Sequence, residues 1–176
     1  MKTKIATLLS LFIGLMLFSQ ENDWTTYEKD NYSIQYPENW SYSDQKPQPS
    51  IQFVLKAEEA SQTEDMFWEN INLNTEYLQG QEFTLDEYIE LSLGQIKKQV
   101  PTAKLLESED ITLNGMEAKS TIWSADFGNG FQLKFKQYVV LNAGTAYILT
   151  FTSTFAEFDK YQEVATSILD TFKINS

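Results

Sequence analysis

The sequence predicts an α+β fold in which a central antiparallel sheet is flanked by helices. Short turns join alternating strands in the second half of the chain, and one amphipathic helix pattern stands on each side of that group of strands. Tight turns favour antiparallel pairing, because two parallel neighbours need a crossover of about a dozen residues or more. Strands and helices grouped along the chain in this way indicate helices packed on an antiparallel sheet.

The first half of the chain carries three strand patterns. Residues 33–36 alternate polar and apolar side chains, and Pro37 ends this strand because proline cannot donate to a ladder. Trp40 follows in the turn, where we expect it to close one end of the core. The other strands are expected at residues 51–57 and 71–77, with a loop at 43–50 and a loop or short helix at 58–66.

Two helices are predicted, one before and one after the strand-rich second half. The first begins at Thr84, which forms a capping-box pattern with Glu87, and it ends at Pro101. Its apolar stripe consists of Leu85, Tyr88, Ile89, Ile96 and Val100. The second helix is expected at residues 157–172. Its stripe consists of Phe158, Tyr161, Val164, Ala165, Ile168, Leu169 and Phe172. Both stripes have the spacing of a helix with one buried face.

The segment between the helices is predicted to hold an antiparallel meander. The strands are expected at residues 116–126, 131–141 and 145–153. Glycine-containing turns at 126–130 and 142–144 separate them, as is typical of hairpins. Just before the meander, the cluster of Glu107, Glu109 and Asp110 is expected to lie on a charged strand edge.

Residues 1–20 have the composition of a secretory signal peptide. Lys2 and Lys4 supply a positive start, and an apolar run follows them. This run is shorter than the about 20 residues that a membrane-spanning helix needs, which disfavours an uncleaved anchor. We therefore expect cleavage near residue 20 and a single domain over residues 21–176. The protein is expected to be exported, periplasmic or extracellular, with no stable membrane anchor after cleavage.

The expected mature chain is strongly acidic. The full sequence has a net charge of −12, and loss of the two N-terminal lysines leaves 11 lysines, no arginine and 25 acidic residues, a net charge of −14. Phosphate backbones and anionic lipid surfaces repel such a chain. Nucleic acid is therefore not an expected partner.

The sequence contains neither cysteine nor histidine. This composition removes disulfides, triads built on histidine and the common zinc sites. The acidic residues between 58 and 69 could offer oxygen ligands to calcium, but they lack the spacing of a calcium-binding loop, so a solvated loop is favoured. We therefore predict no catalytic residue, no metal site and no cofactor, and we do not expect an enzyme.

Four segments resemble PsbP-like proteins, in the same order along the chain. They are YSIQYPENW (32–40), FTLDEYIELSLGQIKK (83–98), LLESEDITLNGMEAKSTIW (105–123) and TAYILTFTSTFAEFDKYQEVATSILDTFKI (145–174). The resemblance covers about residues 27–174 and is nearest to the exported bacterial PsbP-related and DcrB-like branch. It implies an α/β/α sandwich with helices on both faces of a central antiparallel sheet.

The resemblance also implies a class of function. Relatives include an extrinsic photosystem subunit, a nuclear GTPase-binding factor and bacterial envelope proteins, which share binding roles and no catalytic motif. The leading hypothesis is a non-catalytic exported envelope protein that acts as a protein-binding or accessory module for another envelope protein or complex. The alternatives are a small-ligand carrier with an apolar pocket between sheet and helix, and a carboxylate-based hydrolase.

Strand parity gives a candidate partner surface. Alternate side chains share a face of their strand, and two such sets are Lys119, Thr121 and Trp123, and Gln132, Lys134, Lys136 and Tyr138. If the strands pair across a turn at 127–130, both sets lie on one side of the sheet. The residues predicted to bind an acidic partner are Trp123, Lys134, Lys136 and Tyr138. Rings supply contact area and lysines supply steering. The alternative is an ordinary solvated face, or a face covered by the C-terminal helix.

Overall fold

The computed structural model describes residues 24–29, 31–43, 45, 47–59 and 67–175. The strands are β1 (Trp24–Lys29), β2 (Tyr32–Pro37), β3 (Ser41–Ser43), β4 (Ile51–Lys56), β5 (Asn70–Tyr77), β6 (Lys104–Leu113), β7 (Met116–Asp126), β8 (Gln132–Asn142), β9 (Thr145–Thr154) and β10 (Lys173–Ile174). The helices are α1 (Leu85–Gln99) and α2 (Phe158–Asp170). The signal peptide predicted at residues 1–20 lies outside the described residues.

The strands form two antiparallel sheets. The larger sheet has seven strands in the order β3-β4-β5-β9-β8-β7-β6, and the smaller one has the order β1-β2-β10. Neighbouring strands run antiparallel in both sheets. The predicted α+β class is therefore confirmed, as is the meander of β7, β8 and β9.

Helix α2 and the smaller sheet cover one face of the seven-stranded sheet. Leu149 and Phe151 of β9 pack in the same cluster as Phe158 and Ile168 of α2. Trp40 is buried in this cluster, and its backbone N–H donates to the Pro37 carbonyl at 2.9 Å. The expectation that Trp40 closes an end of the core is thus confirmed.

Helix α1 covers the opposite face of the sheet, over β7 and β8. Tyr88 and Ile89 pack with Val139, and Ile96 packs with Trp123 and Phe135 nearer the end of the helix. The helix begins with the predicted capping box. Thr84 Oγ1 accepts the Glu87 N–H at 3.2 Å, and Glu87 Oε2 accepts the Thr84 N–H at 2.8 Å.

Polar side chains of β8 hold α2 on its face of the sheet. Lys134 Nζ lies 3.5 Å from Asp159 Oδ1, Lys136 Nζ donates to Thr166 Oγ1 at 2.9 Å, and the Tyr138 hydroxyl donates to Asp170 Oδ1 at 3.0 Å. Lys134 Nζ also lies 4.1 Å from the ring centroid of Phe158, a cation–π distance. The helix is therefore held by a row of polar contacts beside its apolar stripe.

The substitution Thr84→Ala tests the capping box. We expect it to lower the free energy of unfolding by about 1 kcal/mol, because the first turn of α1 loses a side-chain acceptor. Urea unfolding followed by circular dichroism measures this change, and Thr84→Ser is the control that keeps the acceptor. Equal midpoints for the alanine and serine variants would contradict the assignment.

The stability lost in the Thr84→Ala variant should depend on pH. Hydrogen bonds from the Thr84 backbone and side chain hold the pKa of Glu87 below its ordinary value. A lowered folded-state pKa contributes stability above the unfolded-state value of about 4.3, and this contribution is lost as the pH falls through the folded-state pKa. The stability difference between the wild type and Thr84→Ala should therefore narrow in acid.

The double substitution Lys134→Glu with Lys136→Glu tests how α2 is held. It places two new carboxylates beside those of Asp159 and Asp170 and removes the cation–π contact, so we expect the free energy of unfolding to fall by about 2 kcal/mol. The control with the same charge change is Lys104→Glu with Lys173→Glu, at two exposed positions, where a change within about 0.5 kcal/mol is expected. Equal losses in both variants would show that net charge alone is responsible.

Candidate functional site

Two phenylalanine rings project from the turn between β7 and β8. Phe127 is 48% exposed and Phe131 is 44% exposed, and they flank the segment Gly128-Asn129-Gly130. We call residues 127–131 the Phe turn. Exposed apolar rings that lie together on a protein surface are a common mark of an interaction site.

The backbone of the Phe turn is fixed by hydrogen bonds. The Phe127 N–H donates to the Phe131 carbonyl at 2.9 Å, and the Phe131 N–H donates to the Gly128 carbonyl at 3.0 Å. Asp126 Oδ1 accepts the Gly128 N–H at 2.7 Å. Positive φ angles of 99° at Gly128 and 78° at Gly130 explain why glycine occupies both positions. The two rings are therefore held on an ordered backbone, which reduces the entropy lost on binding.

Buried rings support the Phe turn from below. Trp123 and Phe135 stack with centroids 3.8 Å apart and an interplanar angle of 10°, and Trp123 Nε1 donates to Gln137 Oε1 at 2.9 Å. Phe127 meets Phe135 edge-on at 6.4 Å, and Phe131 lies 6.0 Å from the ring of the half-buried Phe67. A continuous set of rings thus leads from the interior under α1 to the surface.

The structure separates the four residues that were predicted to share a partner surface. Trp123 is 7% exposed and lies on the α1 face, whereas Lys134, Lys136 and Tyr138 lie on the opposite face under α2. The expectation of one shared face is therefore wrong. The partner-binding role itself stays a prediction.

The reason for this error is the length of the turn. Asp126 pairs with Gln132 and Trp123 pairs with Phe135, so five residues, 127–131, separate the paired strand ends. The prediction assumed a four-residue turn at 127–130. A difference of one residue moves every side chain of a strand to the other face, so the face of Trp123 also carries Phe135 and not Lys134.

Burial changes the pKa of two of the predicted residues, in opposite directions. It lowers the pKa of Lys136, although the carboxylates of Asp170, Glu107 and Glu109 favour the charged form. It also raises the pKa of Tyr138, with a further contribution from the hydrogen bond to Asp170. The Tyr138 hydroxyl therefore remains protonated at neutral pH and serves as the donor to α2.

A small cavity of about 210 Å³ lies between α1 and the sheet. Polar and apolar side chains line it in similar measure, among them Asn74, Glu76, Ile89 and Val139. Asn74 Oδ1 is buried there and has no hydrogen-bond partner, and the Tyr88 hydroxyl donates to Glu76 Oε2 at 2.6 Å. This space differs from the apolar pocket that the ligand-carrier alternative requires.

A carboxylate is buried at the start of β5. Glu69 is fully buried, and its Oε1 accepts the Ser153 hydroxyl at 3.1 Å, whereas its Oε2 has no hydrogen-bond partner. Within the ranges that the structure describes, no group of three or more acidic side chains is placed to hold a metal ion. Glu69 therefore acts as an internal acceptor for β9.

Sequence reasoning identified residues 126–130 as a turn but assigned them no function. The available signal was a pair of phenylalanines on either side of a glycine-rich turn. Phe131, Leu133 and Phe135 alternate with polar residues, and this pattern by itself predicts that all three side chains pack inside. Leu133 and Phe135 are buried. Phe131 is exposed because it belongs to the turn and precedes Gln132, the first residue of β8.

Solved structures share this fold. The cyanobacterial PsbP (CyanoP) from Synechocystis sp. PCC 6803 matches with a TM-score of 0.65 and 13% identity, over 92% of this chain and 98% of its own. The Ran-binding protein Mog1p from Saccharomyces cerevisiae matches with a TM-score of 0.61 and 7% identity, over 86% and 95%. LpqN from Mycobacterium tuberculosis, described as involved in cell envelope biogenesis, matches with a TM-score of 0.57 and 15% identity, over 88% and 91%. Identities this low establish the fold alone.

Sequence comparison identifies the family. No curated protein matches the sequence. Among the described residues, neither helix has the length and apolar character needed to cross a membrane. Residues 16–174 match the family described as PsbP-like protein. The chain therefore belongs to the PsbP-like protein family.

Proposed function

We propose that this protein is a non-catalytic, exported binding module that docks on another envelope protein through the Phe turn. The observation that carries the proposal is the pair of half-exposed rings, Phe127 and Phe131, on a turn fixed by hydrogen bonds. The partner surface that suits them is an apolar recess wide enough for two aromatic rings. Aromatic side chains that enter such a recess commonly dominate binding energy.

The magnitude of the contact fits a docking role. Burying the exposed halves of two phenylalanine side chains contributes about 2 kcal/mol. Leu105 and Leu106 at the start of β6 are exposed as well, and residue Thr102 just before them donates to the Asp126 carbonyl at 2.7 Å. A partner that covers the Phe turn can therefore extend its contact toward the start of β6.

The four residues predicted from the sequence take supporting parts in this proposal. Trp123 stacks on Phe135 and so supports the Phe turn. Lys134, Lys136 and Tyr138 hold α2 on the other face of the sheet. Because those lysines contact the helix, the proposal does not depend on an acidic partner.

Two solved structures of the same fold are each consistent with one part of this proposal. LpqN is described as involved in cell envelope biogenesis, and Mog1p is described as Ran-binding. Membership of the PsbP-like family is consistent with an accessory protein of this kind. A ligand carrier is less well supported. The cavity of about 210 Å³ under α1 is smaller than the roughly 300–1,000 Å³ typical of ligand pockets, and the larger groove between α1 and β6 is lined by Asp86, Asp110 and Glu117 and is not an apolar pocket.

The double substitution Phe127→Ser with Phe131→Ser tests the proposal. A photo-crosslinking amino acid at position 129 in the native host identifies the protein that contacts the turn, and the affinity of that purified protein is then measured. We expect the double variant to bind at least about tenfold more weakly. Because the buried halves of both rings are lost as well, we expect its free energy of unfolding to fall by about 2 kcal/mol, and binding is measured under conditions where circular dichroism shows it folded.

The matched control is Tyr77→Ser, which removes an aromatic ring that is 71% exposed elsewhere on the surface. This variant should keep the wild-type affinity. An equal loss of affinity in the control, or full affinity in the double variant, would remove the Phe turn from the binding site.

The export prediction is tested by the mass of the protein isolated from its native host. We expect a mature N-terminus within a few residues of Glu21, because the first 20 residues have the pattern of a cleaved signal peptide. The control is the same protein with Lys2 and Lys4 replaced by Glu, which should accumulate uncleaved. A wild-type chain that keeps Met1 in a soluble cytosolic fraction would contradict export.

A further inference from the structure

Strand β6 is a long and open edge of the seven-stranded sheet. It has ten residues, whereas β3 at the opposite edge has three. Residues 104–110 are all exposed, and within the described part of the chain only β7 pairs with β6. Alternate backbone N–H and C=O groups on the outer side of β6 are therefore available to a further strand.

The open part of β6 is regular enough to template a strand. The pairing with β7 is irregular between Leu105 and Glu107, and it then continues in register from Glu107 opposite Ile122 to Leu113 opposite Met116. This segment is as long as an ordinary strand of about five to six residues. The irregularity protects only the first part of the edge.

Carboxylates flank the regular segment on both faces of the sheet. Glu107 and Glu109 lie on the α2 face, opposite Ile122 and Ser120, and Asp110 lies on the α1 face, opposite Lys119. All three acidic side chains are exposed. An added strand would therefore meet negative charge on each of its two faces.

A groove runs along β6 on the α1 face. It has a volume of about 710 Å³ and lies between β6 and the first turn of α1. Its acidic lining residues are Asp86, Asp110 and Glu117, and its apolar lining includes Phe83 and Leu141. Lys119 Nζ lies 2.5 Å from both Asp86 and Asp110 and joins the helix to the edge strand. The groove can accept alternate side chains of a strand laid against β6, which is how added strands gain specificity.

We propose that β6 accepts an extended segment of a partner protein as an eighth strand, with Lys or Arg at alternate positions directed into the acidic groove. The proposal deepens the binding function proposed above and rests on it, because it names the chemistry of a partner. A second copy of this chain is a poor occupant, since Glu107, Glu109 and Asp110 would face like charges across the pair.

The probe is a capped peptide of about eight residues in which Lys alternates with Thr. Fluorescence anisotropy measures its affinity for the full mature protein, and amide hydrogen exchange measures protection along residues 107–113. We expect binding at least about tenfold tighter than that of the same peptide with Glu in place of Lys. We also expect exchange in β6 to slow at least about tenfold when the Lys peptide is bound.

Two controls separate strand addition from charge attraction. A Lys peptide with N-methyl groups at alternate residues keeps its charge but cannot form the ladder, and it should not bind. The triple variant Asp86→Asn, Asp110→Asn, Glu117→Gln removes the three carboxylates of the groove and should bind the Lys peptide about tenfold more weakly. Circular dichroism checks that this variant stays folded, because it also loses the Lys119 ion pairs. The triple variant Glu38→Gln, Glu82→Gln, Glu163→Gln makes the same charge change at other exposed positions and should bind normally.

Several results would overturn the proposal. They are equal binding of the methylated peptide, equal losses in both triple variants, unchanged exchange in β6, and concentration-dependent protection of β6 without peptide, which would indicate a second copy. The Phe127→Ser with Phe131→Ser variant should bind the Lys peptide normally. A failure at β6 with crosslinking at the Phe turn retained would therefore remove this inference and leave the proposed function in place.

Discussion

The register between β7 and β8 determines which face of the sheet each candidate binding side chain lies on. Trp123 lies opposite Phe135, and this pair places the apolar side of β8 under α1. The alternate residues of β8 then necessarily face α2, where Lys134 and Tyr138 contact the helix. The same register requires the five-residue turn at 127–131, so the exposed rings and the half-buried lysines are consequences of one pairing.

The sequence was sufficient for those elements whose local signals agree. Thr84 with Glu87 begins α1 and Pro101 follows its end, as predicted, because capping chemistry and proline geometry act within a few residues. The charged strand edge expected at Glu107 is also confirmed as the outermost strand of the sheet. In these places each local preference coincides with the tertiary structure.

The candidate site depended on information that local patterns do not hold. Strand β7 is apolar on both faces, with Ile122 toward α2 and Trp123 toward α1, so its alternation could not show which face meets which helix. The length of the turn determines which residues of β7 and β8 share a face. The sequence does not give this length, because glycines at 128 and 130 are compatible with more than one hairpin loop. Phe131 is exposed because it precedes the first residue of β8, and only the pairing of β8 with β7 shows where that strand begins.

Several lysines of the folded protein are neutralised by carboxylates within the chain, so its unpaired charge is mostly negative. Lys119, Lys134 and Lys160 are each paired with a carboxylate within the chain. The unpaired excess therefore consists mainly of acids, and some of it lies along β6. Like charges on an open edge oppose pairing between copies of the chain, which matters for a protein without disulfides.

The same placement gives β6 selectivity at little cost to the fold. Exposed carboxylates are well solvated, so Asp110 and Glu117 in the groove carry little desolvation penalty until a strand covers them. A basic strand compensates that penalty with opposite charge, whereas a neutral or acidic strand does not. Lys119 takes part as well, because it ties Asp86 of α1 to Asp110 of β6 and so sets the width of the groove between helix and edge. The ion pair that packs α1 against the sheet thereby also shapes the surface that a partner strand would meet.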